Sequence, residues 1–144
     1  MTINRMREED LSQVAVLEQQ LFSEPWSEQG FRDTLDMDGV IFLVARDGEN
    51  CMGYCGIYLA ADEGEITNVA VHPHYRRKGV ARCLLQQLLQ QAKERGATHI
   101  FLEVRSSNEG ARTLYEKLGF AVCGVRKNFY QKPTEDACVM VLDQ

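Results

Sequence analysis

One stretch narrows the fold more than any other. An apolar strand from Glu65 to Val71 runs through a basic turn into a long amphipathic helix. From Gly79 onward the apolar residues Ala81, Leu84, Leu85, Leu88, Leu89 and Ala92 recur at three- and four-residue steps, with glutamines on the other face. That is the period of a helix with one side against a core. A further apolar segment, Thr98 to Arg105, follows directly. Strand, helix and strand in succession within one sheet join by a right-handed parallel crossover, so the chain is of the α/β class.

The start of this helix carries the wrong charges. A helix N-terminus exposes unpaired N–H groups and a partial positive charge, which Ser, Thr, Asp or Asn at the cap and acids in the first turn usually satisfy. Here Arg76, Arg77, Lys78 and Arg82 crowd the turn, and Gly79 leaves the backbone bare. A phosphate lying on the N–H groups of residues 79 to 82 would satisfy backbone, dipole and cations together. A merely solvated basic turn leaves both the charges and the missing cap unexplained.

Composition excludes several classes. At 144 residues the chain accommodates one domain, 1–144, with a real core. No apolar run reaches membrane-spanning length and the start lacks a signal-peptide core, so a cytoplasmic protein without membrane contact is expected. Cysteines 51, 55, 83, 123 and 138 are scattered, mostly within apolar segments, and suit neither a disulfide framework nor a metal site. They read as buried thiols. The net charge of −5 argues against nucleic-acid binding, whereas basic residues gathered at one turn suit a small polyphosphate.

Taken in order, Thr2 to Met6 is a short strand, and Glu8 to Asp10 lead a helix with Leu11, Val14, Ala15, Leu17, Leu21 and Phe22 on its apolar stripe. Ser27 can cap a second helix carrying Phe31 and Leu35. Between them lies the only tryptophan, Trp26, either an interhelix plug or a ligand contact. Val40 to Arg46 and Cys51 to Ala60 pair about the turn Asp47-Gly48-Glu49-Asn50. A helix begins at Asn108 and ends at Gly119, and Phe120 to Val125 and Ala137 to Leu142 close the sheet around a loop spanning 127–133.

Three residues of the later segments carry possible chemistry. Glu103 interrupts an apolar strand on the same face as Phe101 and Arg105. It is either an ion-pair partner of Arg105 or a general base facing a cleft. Tyr115 falls on the apolar stripe of its helix, the ordinary place for a core aromatic, and Asn108 stands where Asn commonly caps. Because the helix follows Glu103 directly, carboxylate and tyrosine can face one region beside the anion site.

The strand ending at Val71, followed by Arg76-x-x-Gly79-x-Ala81, resembles the acyl-CoA-binding motif of the GNAT N-acetyltransferase superfamily, with alanine at 81 in place of the commoner glycine. Phe22-x-x-Pro25-Trp26-Ser27, Leu102-Glu103-Val104-Arg105-x-Ser107-Asn108, Leu114-Tyr115-Glu116-x-Leu118-Gly119-Phe120, Asn128-Phe129-Tyr130 and Glu135-Asp136-Ala137 resemble, in the same order, the RimI type of bacterial ribosomal-protein-alanine N-acetyltransferase. The resemblance implies a mixed, mostly antiparallel twisted sheet of six or seven strands flanked by about four helices. It implies acetyl-CoA as acetyl donor, no metal, and a protein N-terminus as acceptor, that of the eighteenth small-subunit ribosomal protein. A monomer or weak dimer is expected.

By the same resemblance Glu103 is the proton acceptor, Tyr115 the proton donor and Asn108 an acetyl-CoA contact. The backbone of Val69, Ala70 and Val71 meets the acetyl and pantetheine end, and Arg77, Lys78, Gly79, Val80, Ala81 and Arg82 hold the pyrophosphate. Glu24 or Glu28 would supply an acidic wall for a cationic N-terminus. Two other acceptors, different protein N-termini and small amines, stay open, as does a module that senses acyl-CoA without chemistry. A nucleotide hydrolase is disfavoured by the absence of Gly-x-x-x-x-Gly-Lys-Ser/Thr.

Overall fold

The computed structural model describes residues 1–144. Strand β1 (Thr2–Arg5) leads through a 3-10 turn (Glu8–Asp10) into helix α1 (Leu11–Leu21), and α2 (Glu28–Thr34) follows. Then come β2 (Val40–Asp47), β3 (Asn50–Ala60), β4 (Glu63–Val71), a 3-10 turn (Pro73–Tyr75), α3 (Val80–Glu94), β5 (His99–Arg105), α4 (Glu109–Lys117), β6 (Ala121–Tyr130) and β7 (Glu135–Asp143). All seven strands form one sheet in the order β1-β2-β3-β4-β5-β7-β6. Only β4 and β5 run parallel, as the intervening helix requires.

Helices cover both faces of the sheet, and β2 shows why its sequence is continuously apolar. Val40, Phe42 and Val44 pack with Leu11, Val14, Leu17 and Phe31 of α1 and α2. Ile41, Leu43 and Ala45 pack on the other face with Leu84, Leu85 and Leu88 of α3. A strand buried on both sides needs apolar residues at both phases of its pleat. Ser27 caps α2 as its position suggests, its hydroxyl accepting from the Gly30 N–H at 3.0 Å, a contact of about 1 kcal/mol.

Several boundaries differ from the sequence reading. The acids at 8–10 form a 3-10 turn rather than the first turn of α1, and Phe22 is extended beyond the helix end and exposed. Strand β6 continues through Lys127, Asn128 and Phe129 to Tyr130, so the loop at 127–133 is shorter than expected. As the outer strand it has no buried face to impose an apolar alternation. Cys51, Cys55 and Cys138 are buried, but Cys123 is exposed on this strand and Cys83 is half-buried.

Two irregularities around β4 shape the site. Its register against β3 shifts between Gly56↔Asn68 and Ile57↔Ile66, leaving Thr67 as an extra residue. Such a bulge reverses which face the following side chains meet. Ile66 packs with the α3 side of the sheet, while Ala70 packs with the α1 side. In addition, β4 and β5 pair only from Glu63↔His99 to Ile66↔Leu102. Beyond that point β4 stays with β3 and β5 with β7, so the two parallel strands part.

Candidate active site

The gap between the parting strands opens into a cavity of about 730 Å³. Val69 and Asn68 of β4 and Glu103 and Arg105 of β5 line it, together with Asn108 and Tyr115. Trp26 and Glu24 enter from the α1–α2 connection, and Tyr130 and Gln131 from the end of β6. Arg105 ties these two coverings together. Its guanidinium donates to the Ser23 hydroxyl at 3.2 Å and to the Gln131 carbonyl at 2.9 Å, and it lies 4.6 Å from the centre of the Tyr130 ring.

Arg105 is therefore not the partner of Glu103. It pairs with Glu135 at 3.3 Å, while Glu103 accepts from Arg126 of β6 at 3.0 Å. The reason is topological. Antiparallel β7 places Glu135 near the end of β5, and β6 beyond it carries Arg126 level with Arg105, from where its guanidinium reaches diagonally to Glu103. Only one carboxylate oxygen of Glu103 is engaged. The other, Oε2, is buried with no hydrogen-bond partner, a costly state for a polar atom unless a ligand or water meets it.

Tyr115 is a core aromatic that also reaches the cavity. Its ring packs 5.9 Å from Phe120 within the core, and the residue also lines the cavity. Burial, reinforced by neighbouring Tyr130 and Cys55, pushes its hydroxyl pKa well above the ordinary value. Burial and the charge of Glu103 push Tyr130 up to about 12. Asn108 caps α4, its side-chain oxygen accepting from the Ala111 N–H at 3.2 Å. Trp26 both packs against Phe31 and Phe42, with ring centres at 5.2 and 5.6 Å, and faces the cavity. Of the two acids suggested for the cleft wall, Glu24 lines it; Glu28 instead pairs with Arg32 at 2.9 Å on the surface.

The start of α3 lies past the end of β4 and outside this cavity. Gly79 occupies the N-cap position with φ +75°, and no side chain caps the helix. A Cβ added to Gly79 would meet nothing within 4 Å, so the backbone there is open to a visitor. None of Arg76, Arg77, Lys78 or Arg82 forms an ion pair. Four unneutralised cations around an uncapped helix start fit a polyphosphate. Val69 reaches the cavity, Ala70 is buried against the α1 side, and Val71 leads into the basic turn.

Sequence reasoning missed Glu18 and Asn68. Glu18 lies four residues after Val14 and seven after Leu11, in register with the apolar stripe of α1, and it is buried. A carboxylate at such a position was the available signal. It accepts from the Tyr54 hydroxyl at 2.7 Å, the Trp26 N–H at 3.0 Å and the Asn68 side-chain NH2 at 3.3 Å.

A parallel strand pair that parts at its carboxyl end, with an uncapped, cation-ringed helix start beyond one strand and a half-buried carboxylate and a buried tyrosine on the other side, defines an acyltransferase of the GNAT type. The chain belongs to the acetyltransferase (GNAT) family, whose profile matches residues 11–120. It is 35% identical to the [ribosomal protein bS18]-alanine N-acetyltransferase of Escherichia coli K12, over 98% of this chain and 96% of that protein. It is 34% identical to the N-alpha-acetyltransferase RimI of Mycobacterium tuberculosis, over 99% of this chain and 92% of that one. The crystal structure of the ribosomal-protein-S18-alanine N-acetyltransferase from E. coli superposes with a TM-score of 0.89 at 33% identity, covering 99% and 92% of the two chains. The sheet of seven strands with four helices is the mixed, mostly antiparallel architecture anticipated above.

Proposed function

We infer that this N-acetyltransferase carries the acetyl group of acetyl-CoA to the free α-amine of a protein N-terminus, with the alanine of ribosomal protein bS18 as its principal acceptor and the cytoplasm as its setting. The observation that carries this reading is the meeting of Glu103, Tyr115 and Asn108 in one cavity where β4 and β5 part. The near full-length likeness to bS18-alanine acetyltransferases supports the choice of acceptor.

In this reading the N–H groups at residues 79 to 82 and the side chains of Arg77, Lys78 and Arg82 hold the donor's pyrophosphate. The edge of β4 at Val69 to Val71 that β5 leaves open lies along its pantetheine, and Asn108 adds a polar contact. The donor supplies an activated thioester. An α-amine has a pKa near 8 and a lysine amine near 10.4, so a single carboxylate suffices for the α-amine. Glu103 takes its proton, directly or through a water, with the oxygen that Arg126 leaves free. A backbone N–H of the Val69 to Val71 segment steadies the charge that develops on the carbonyl oxygen. Tyr115, kept protonated by burial, gives its proton to the leaving sulfur.

The test is acetyl transfer from acetyl-CoA to a peptide with a free N-terminal alanine, beside the same peptide with its α-amine blocked and a lysine left free. Transfer to the free α-amine alone is the expected result. Transfer to the lysine peptide at a comparable rate, or to neither, overturns the assignment.

A further inference from the structure

Glu18 is a buried carboxylate that no cation neutralises. It forms no ion pair, and its three partners, Tyr54, the Trp26 N–H and Asn68, are all neutral donors. Buried charges are ordinarily paired. This one sits on the wall of the cavity, with Asn68 beside it.

The carboxylate decides which way the Asn68 amide faces. The Asn68 NH2 donates to the two Glu18 oxygens at 3.3 and 3.5 Å, so the NH2 end of the amide is the one that meets the carboxylate. The amide oxygen is thereby turned away from Glu18. Asn68 is 5% exposed, yet this Oδ1 has no hydrogen-bond partner. Since nearly every buried polar atom is satisfied, an unmet oxygen on a residue that lines the cavity calls for a donor. The charge of Glu18 polarises the amide in the same sense, making its outer oxygen a better acceptor.

The two substrates of an N-acetyltransferase differ in what they bring. The thioester presents a carbonyl oxygen, which an amide oxygen repels. The acceptor presents an α-ammonium or amine, rich in N–H donors. We propose that Asn68 is a binding residue for the acceptor's terminal nitrogen, and that Glu18 is the positioning residue that turns the Asn68 oxygen toward it. Asn68 on β4 and Glu103 on β5 then address one nitrogen from the two strands that part. Asn68 holds one N–H while Glu103 removes another. The proposal rests on the N-terminal acetyltransferase reading and identifies how that site selects a cationic nitrogen.

Steady-state kinetics with the alanine-led peptide test it, varying each substrate in turn, with thermal unfolding to confirm that every variant is folded. Asn68→Leu should raise the peptide KM by about tenfold or more, the effect of one hydrogen bond to a charged group, and leave the acetyl-CoA KM within about twofold. Glu18→Gln should do the same, because a glutamine NH2 draws the Asn68 oxygen inward and presents the NH2 to the ammonium. The double variant Glu18→Gln with Asn68→Asp restores an outward oxygen and should recover the peptide KM. An unchanged peptide KM in Asn68→Leu, a parallel rise in the acetyl-CoA KM, or no recovery in the folded double variant overturns the proposal. Failure of the wild-type protein to acetylate the peptide overturns the functional reading first, and the proposal with it.

Discussion

Glu103 and Tyr115 face the same cavity but are held differently, and their variants should separate accordingly. Glu103→Gln keeps an oxygen for Arg126 but cannot take a proton, so kcat should fall by about 10²- to 10³-fold, within the usual range for a general base, with little change in melting temperature. Tyr115→Phe keeps the ring contact with Phe120 and loses only the hydroxyl. Its kcat should fall by about tenfold or more, again without unfolding. The pH profile follows from the direction of the Tyr115 shift. A raised pKa keeps the hydroxyl protonated to higher pH, while the acceptor amine loses its proton near pH 8. Wild-type kcat/KM should therefore climb through pH 8 and hold its plateau to about pH 9.5. A descending limb with a midpoint near 9 would show that Tyr115 is not the protonated donor.

At the scale of elements, one buried ion pair secures the entry to α1. Arg46 at the end of β2 reaches Asp10 in the preceding 3-10 turn, and both are buried. Burial alone would raise the Asp10 carboxyl, but hydrogen bonds from Arg46 and the Arg7 backbone outweigh it and hold the pKa below its ordinary value. A depressed carboxylate contributes stability that is complete above the ordinary range, near 3.9, and lost as pH falls through the lower folded value. Asp10→Ala strands the guanidinium and should cost about 3–5 kcal/mol in urea unfolding at pH 7, with a smaller difference from wild type in acid. An unchanged midpoint at pH 7 would contradict it. Elements with local signals were legible in the sequence: the Ser27 cap, the hairpin turn at Gly48, the stripe of α3, and the bare helix start at Gly79. What escaped depends on distant chain. The Arg126 partner of Glu103 comes from a strand 23 residues further on. The bulge at Thr67, which turns Asn68 toward Glu18, is a property of pairing with β3 and has no mark of its own in the strand.

Across the whole molecule, charge is distributed against its net sign. The chain carries −5 overall, yet four unpaired cations surround the start of α3, and the cavity between β4 and β5 holds Glu18, Glu24 and Glu103. In the proposed reading, a polyanionic donor and a cationic acceptor meet charges of opposite sign at the two ends of one site. CoA binding should weaken severalfold between about 0.05 and 0.3 M salt, because the cations are exposed to screening. Arg77→Ala with Arg82→Ala should weaken binding at low salt and flatten that dependence, as isothermal titration would show. The central claim is that the uncapped helix start and the cavity between β4 and β5 are two halves of one active site. A crystal structure with a conjugate of CoA and an alanine-led peptide tests this most directly. The pyrophosphate should lie on the N–H groups of residues 79 to 82 and the alanine nitrogen within hydrogen-bond reach of Glu103, directly or through one water. Phosphates bound away from α3, or a nitrogen remote from Glu103 and Tyr115, would contradict it.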